Sequence, residues 1–277
     1  MLSSRRAPAV ALLAFVFAQS LIAADRRITV ALPPDGLSQK ERAPFQQYLT
    51  EQFGTEVKLI TPESFKATMD GLATGSIDFA YVGGLIYLKA RAQAGVVPLV
   101  QRTSDLQFHS VFIAGSDKAI HSLRDLRGKK FAFGDVDSTS GHLIPYLEMK
   151  DAGLNPDRDM AVRFSGAHPL TVKLVEAGIV DAGAVDESIF KSLVSMGQID
   201  PAKVHIFYTS KPFVDKVWVA RQGIGQAERD KLAAALLRLK KGEDDEVLRI
   251  LQADRFVRAT DDEYEALRHV ARELKMF

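Results

Sequence analysis

The chain contains no cysteine. That excludes a disulfide framework, a thiolate metal site, a cysteine nucleophile and a cysteine-borne lipid anchor. Past the first residues there is no run long and uncharged enough to span a bilayer. An excess of either charge is missing too, with 36 Lys and Arg against 35 Asp and Glu. That balance argues against nucleic acid or an anionic membrane as the main partner. His109, His121, His205 and His269 show no metal-ligand spacing, and there is no HExxH pattern, no GxSxG elbow and no GxxxxGK[ST] loop. The expectation is a fold that stands on its own core, with no metal and no cofactor.

What is present begins with a targeting segment. Arg5 and Arg6 form a basic start, Ala9 to Ala18 an apolar stretch, and Ser20 to Ala24 a run with the small residues that cleavage needs. Residues 1–24 therefore read as a signal peptide, and the mature chain as soluble, periplasmic and monomeric. Losing both arginines takes the net charge from +1 to −1.

Strand and helix patterns then alternate, which predicts an α/β fold with mainly parallel sheets. Ser38 with Glu41 makes a capping box, Thr61-Pro62 starts a second helix, and Gly83-Gly84 opens a third. A weak internal repeat relates Leu72 to Ala80 with Val175 to Gly183. Asp78 and Asp181 occur in both copies, which favours a structural role for them in ordering the turn. Two related lobes follow: residues 25–112 with 218–277, and residues 113–217. Val111-Phe112-Ile113 and Val217-Trp218-Val219 are expected to cross between them, with Trp218 as core or hinge packing.

The most informative segment is Asp137-Ser138-Thr139-Ser140-Gly141-His142. It follows the apolar strand Lys130 to Gly134 and precedes a helix that Pro145 forces to begin near Gly141 or His142. Free N–H groups and the peptide dipoles of a helix start favour an anion, and three hydroxyls add donors. The plainer reading is that one of the three merely caps the helix. His168, after the strand Ala161 to Phe164, can donate to an anionic oxygen or cap its own loop. Tyr81 and Asp186 lie where two strands end, the position at which open α/β sheets gather ligands. Asp186 suits a ligand that still carries a proton, or caps the helix that follows it. A Ser/His hydrolase using the 138–140 turn with Asp186 is the catalytic alternative.

These residues resemble a known family. Phe131 to Gly141, Phe-Ala-Phe-Gly-Asp-Val-Asp-Ser-Thr-Ser-Gly, is similar to the FxDPxSTSG signature of the PhnD-like periplasmic phosphate, phosphite and phosphonate-binding proteins of ABC transporters. Asp78 to Gly84 resembles their DxAW(L/Y)GP segment, and Ser165 to His168 with Gly178 to Val185 their SGxH and GxVDAGAV segments. Phe256 to Ala259 matches the closing pattern. The resemblance implies a non-enzymatic, two-lobe periplasmic-binding-protein fold of type II-like build with a small anionic ligand in the cleft. It implies that Ser138, Thr139 and Ser140 hold phosphoryl oxygens, that His168 adds a donor and that Tyr81 reaches in from the opposite lobe. Aminoalkylphosphonate binders of the family carry a carboxylate where this chain has Ser188, which points toward phosphite, phosphate or a simple alkylphosphonate. The partner implied is an ABC permease, or alternatively a membrane histidine kinase.

Overall fold

The computed structural model describes residues 27–33 and 38–277. The expected signal segment, residues 1–24, lies outside the described residues.

The first half of the chain lays down β1 (Ile28–Ala31), α1 (Gln39–Phe53), β2 (Val57–Ile60), α2 (Phe65–Thr74), β3 (Phe79–Val82), α3 (Gly84–Ala94) and β4 (Val97–Arg102). Then come β5 (Ser110–Gly115), β6 (Lys130–Phe133), α4 (Ile144–Asp151), α5 (Pro156–Asp159), β7 (Ala161–Phe164), α6 (His168–Glu176), β8 (Ala182–Asp186), α7 (Glu187–Ser195) and β9 (Val204–Thr209). The chain closes with β10 (Val217–Ala220), α8 (Gln226–Leu237), α9 (Asp245–Ile250), β11 (Phe256–Arg258) and α10 (Glu265–Glu273).

The strands form two sheets, β11-β4-β10-β3-β1-β2 and β7-β6-β8-β5-β9. In the first, β1 to β4 run one way and β10 and β11 return against them. In the second, only β5 runs against the others. Helices pack on the faces of each, the mainly parallel α/β layering that the alternating pattern predicts. β3, β5, β8 and β10 are buried along their whole length, as central strands covered on both faces must be.

Local signals explain several boundaries. Ser38 and Glu41 form the expected capping box on α1, and Gly54 ends it at φ 67°. The start of α2 differs from expectation. Ser64, not Thr61, caps it by accepting from Ala67 N at 3.1 Å. The Thr61 hydroxyl is instead taken by the Arg42 guanidinium. The repeated aspartates behave alike: Asp78 accepts from Thr29 N at 3.0 Å and Asp181 from Lys130 N at 2.9 Å. Each ties its helix–strand turn to the neighbouring strand.

The crossing strands are placed differently from the sequence reading. β5 lies wholly in the second sheet and β10 wholly in the first. Their apolar runs are each absorbed by one core, so neither is left to bridge. The chain crosses just outside them, at Phe108 and Phe213. These two exchange backbone hydrogen bonds of 2.9 and 3.0 Å, with ring centroids 5.8 Å apart. Trp218 is fully buried, stacked on Tyr81 at 5.2 Å with its flank against Phe45.

Candidate functional site

A cavity of about 430 Å³ opens between the two sheets, walled by the segments that follow β1, β2 and β3 on one side and β6, β7 and β8 on the other. Tyr81, Ser138, Thr139, Ser140, His168 and Asp186 all line it. Residues scattered over a hundred positions of sequence thus meet in one cleft, at the carboxyl ends of strands.

The hydroxyl turn enters this cleft as a five-residue π-helical turn, Thr139–Leu143, which leads into α4. The helix therefore starts two residues earlier than Pro145 suggested, because a wider turn accommodates the proline beyond it. Ser138 is the N-cap and accepts from Gly141 N at 2.9 Å. Thr139 accepts from Leu85 N at 2.9 Å, across the cleft. Ser140 is buried, and its hydroxyl has no hydrogen-bond partner among the described residues. In all three the O–H proton has no acceptor among the described residues. The N–H groups of Thr139 and Ser140 likewise find no acceptor among the described residues, as expected for a first helical turn. His142 does not join them. Its Nδ1–H donates to Val136 O at 2.8 Å, and its ring packs among Phe133, Tyr146 and Phe164.

His168 lies against this turn. Gly141 permits the approach, since a Cβ there would stand 2.9 Å from the His168 ring and 3.1 Å from the Gly134 Cα. His168 Nδ1 accepts from the Asp186 backbone N–H at 3.3 Å. Burial holds the imidazole down at about 4, with the Asp186 carboxylate opposing and the Lys216 ammonium adding to the shift. The ring is therefore neutral, and with Nδ1 accepting, Nε2 carries the proton. This histidine is a donor in the cavity wall.

Of the two readings of Asp186 the helix cap is the one found, and the carboxylate is not a free acceptor. One oxygen accepts from Ile189 N at 3.0 Å and the Ser188 hydroxyl at 2.6 Å, capping α7. The other pairs with Lys216 Nζ at 2.6 Å. Burial pushes this carboxyl up, but Lys216 and then His168 overcome that and hold it well below the usual carboxylate range. The ion pair, with Lys216 on the crossing segment and Asp186 in the second sheet, neutralises a charge that would repel an anion.

The opposite wall carries four groups that sequence reasoning missed or placed without partners. Tyr81 Oη donates to Asp105 at 2.7 Å, and Arg102 clamps the same carboxylate through Nε and Nη2 at 2.6 to 3.1 Å. The Arg102 guanidinium also lies 5.4 Å from the Tyr81 ring centre. The Tyr81 hydroxyl proton is thus already committed, and its oxygen offers only lone pairs. Asp215, 1% exposed, lines the cavity with one oxygen accepting from Gly84 N at 3.1 Å and the other without a hydrogen-bond partner among the described residues. Burial raises its carboxyl to about 6 despite the pull of Lys216 and Gly84 N, with Asp186 and Asp105 pushing the same way as burial. The signal for this wall was the acid–base doublet Asp215-Lys216 directly ahead of an apolar strand, and Arg102 with Asp105 three residues on.

Two sheets joined at a pair of crossings enclose a cavity that donor groups line on one side. Comparison with known proteins gives the family. The profile described as "ABC transporter, phosphonate, periplasmic substrate-binding protein" matches residues 34–264. The chain belongs to this family of substrate-binding receptors. It is 28% identical over 83% of its length to a probable ABC transporter phosphite binding protein, PhnD1, of Prochlorococcus marinus, covering 82% of that protein. It is 26% identical over 87% of its length to the phosphate-import protein PhnD of Mycolicibacterium smegmatis, covering 83% of it. The structure of PhnD1 from Prochlorococcus marinus in complex with methylphosphonate superposes with a TM-score of 0.84 at 26% identity, over 91% of this chain and all of that one.

Proposed function

We propose that the chain is a periplasmic receptor that binds a small phosphorus oxyanion, phosphite, phosphate or an alkylphosphonate, and delivers it to an ABC importer. The observation that carries this is the set of unclaimed donors on one side of the cleft. Three hydroxyls, two backbone N–H groups and His168 Nε2–H line the cavity with no acceptor among the described residues, beside the Lys216 ammonium. A tetrahedral oxyanion would satisfy them, and hydrogen bonds to a charged group contribute roughly 1.5–3 kcal/mol each. Ser138, Thr139, Ser140 and His168 are the donors of this reading. Tyr81 and Asp215 form an acceptor wall opposite, and Asp186 acts through Lys216 and the α7 cap. The relatives named for phosphite and phosphate support the ligand class, and the family supports the importer as partner.

The acceptor wall gives the selectivity. With Asp215 near pH 6, one proton must lie between its free oxygen and the ligand. A hydrogenphosphate or hydrogenphosphonate supplies that proton above pH 6, whereas sulfate supplies none. A Ser/His hydrolase is disfavoured, because His168 Nδ1 accepts the Asp186 backbone N–H and so no carboxylate holds that nitrogen for proton abstraction at Nε2.

The two sheets with their helices would close as lobes about the crossings at Phe108 and Phe213. Calorimetry of the mature protein against phosphite, phosphate, methylphosphonate and sulfate at pH 7.5 tests the reading. Phosphorus ligands binding at least about tenfold tighter than sulfate would bear it out, the ratio expected from one unsatisfied charged acceptor. Sulfate binding equally well would contradict it.

A further inference from the structure

Two helices depart from the way this chain ends its helices. α1, α2, α3, α4, α6 and α7 each finish on a turn closed by a glycine with positive φ, the residue that adopts the left-handed conformation without steric cost. α9 and α10 reach the same conformation at Gln252 (φ 50°) and Lys275 (φ 57°), the only positive-φ residues other than glycine among the described residues. Both turns close alike. Gln252 N donates to Arg249 O at 3.1 Å and Ala253 N to Leu248 O at 2.9 Å, as Lys275 N does to Arg272 O at 3.0 Å and Met276 N to Ala271 O at 2.8 Å. Each turn therefore carries backbone strain that a glycine would remove.

The two differ in what surrounds them. Lys275 is exposed and is not among the residues that line the cavity. Gln252 lines it, and being exposed it stands at the mouth. Its backbone is fixed there. Arg102, 3% exposed, donates from Nη1 to Gln252 O at 3.2 Å, and the same guanidinium clamps Asp105, the acceptor of the Tyr81 hydroxyl proton. The strained turn is thus tied to the ionic wall of the site, while the Gln252 carboxamide has no hydrogen-bond partner among the described residues. That wall is poor in donors. Tyr81 gives its proton to Asp105, Asp215 presents a carboxylate oxygen, and Lys216 is paired with Asp186. A carboxamide adds N–H donors without adding charge.

We propose that Gln252 is a ligand-binding residue of the first sheet's side of the cleft, whose side-chain N–H donates to an oxygen of the bound oxyanion that faces away from the hydroxyl turn. This rests on the receptor reading above and adds a specificity-determining contact to it. The left-handed backbone is what it costs to place a side chain where the other helix ends have none, and Arg102 keeps the turn from relaxing.

The test is calorimetry with phosphite, phosphate and methylphosphonate, beside thermal unfolding, for the parent protein and for Gln252→Gly, Gln252→Ala, Gln252→Glu and Lys275→Gly. Both glycine variants are expected to melt about 1–4 °C higher than the parent, since each relieves the same strain. Gln252→Gly and Gln252→Ala are expected to weaken the tightest of the three ligands at least about fivefold. Gln252→Glu, of equal length but acceptor-only and negative, is expected to weaken it further than Gln252→Ala. Lys275→Gly is expected to leave affinity within about twofold of the parent. Parent-like affinity in Gln252→Ala and Gln252→Gly overturns the contact and leaves the receptor reading standing. Gln252→Glu binding as tightly as the parent overturns the donor role. Equal affinity losses in Gln252→Gly and Lys275→Gly would trace the effect to backbone rather than side chain, and would also overturn it. A Gln252→Gly protein that melts no higher than the parent removes the strain from which the assignment starts. Failure of all three ligands to bind the parent overturns the receptor reading, and this assignment with it.

Discussion

Ser140 offers the cleanest probe of the donor set, because its hydroxyl is buried and makes no hydrogen bond among the described residues. Ser140→Ala is expected to leave the melting temperature unchanged and to weaken oxyanion binding at least about tenfold. Ser138→Ala mixes two effects, since it also removes a helix cap at a cost of about 1 kcal/mol in stability. Asp215 and His168 make opposing contributions to the pH dependence of stability. The Asp215 carboxyl titrates near 6 in the fold against about 4 unfolded, so it contributes stability below about pH 4 that is lost as pH rises through 6. His168 runs the other way: held near 4 against about 6.5 unfolded, it contributes stability above about 6.5 that is lost as pH falls toward 4. Asp215→Asn isolates the first term. Relative to the parent it should gain on the order of 3 kcal/mol between pH 4 and pH 7, measured by urea unfolding at each pH. It should also narrow discrimination against sulfate at pH 7.5, because an amide can donate. A parallel pair of pH–stability curves would place Asp215 outside this account. The sequence already showed the hydroxyls, His168 and Tyr81 as residues worth naming. It could not show that both Asp186 oxygens are occupied, because Lys216 lies thirty positions away and meets Asp186 only when a crossing segment passes over β8.

At the scale of elements, the donor cradle depends on a close approach that only glycine allows. Gly141→Ala would set a Cβ 2.9 Å from the His168 ring and 3.1 Å from backbone at Gly134. The ring can yield and the backbone cannot, so the π-helical turn and His168 should separate. Oxyanion affinity is expected to fall more than tenfold with a stability loss of about 1–3 kcal/mol, read by calorimetry and thermal unfolding. An unchanged affinity would mean that His168 is not part of the cradle. Elements with local causes were legible: the capping box on α1, the Gly83-Gly84 start of α3, and the strand ahead of the hydroxyl turn. Those decided by distant partners were not. Thr61 had the chemistry of a cap, but Arg42 from α1 claims its hydroxyl. β5 and β10 had the composition of crossing strands, but each is a central strand of one sheet.

At the scale of the whole molecule, the two lobes are held together on one side of the cleft by Lys89 on α3 and Asp137 beside the hydroxyl turn. The pair is largely buried, with side chains 19% and 15% exposed, and bridges the two sheets. Lys89→Ala should favour an open form without ligand. Small-angle scattering should then show a larger radius of gyration for the unliganded variant, with compaction restored by saturating ligand. No difference between variant and parent would remove the latch from the account. The repeat of Asp78 and Asp181 foretold two related lobes, since each turn needs its own tie to a neighbouring strand. The acceptor wall opposite the donors was hidden, because it is assembled from β3, β4 and the start of β10. The measurement that bears most directly on the whole reading is a calorimetric titration of the protein and its Ser140→Ala variant with methylphosphonate at pH 7.5. The account predicts saturable one-to-one binding by the parent and at least about tenfold weaker binding by the variant, with equal melting temperatures. Binding that is absent in the parent, or equal in both proteins, would contradict the claim that the hydroxyl turn holds a phosphorus oxyanion.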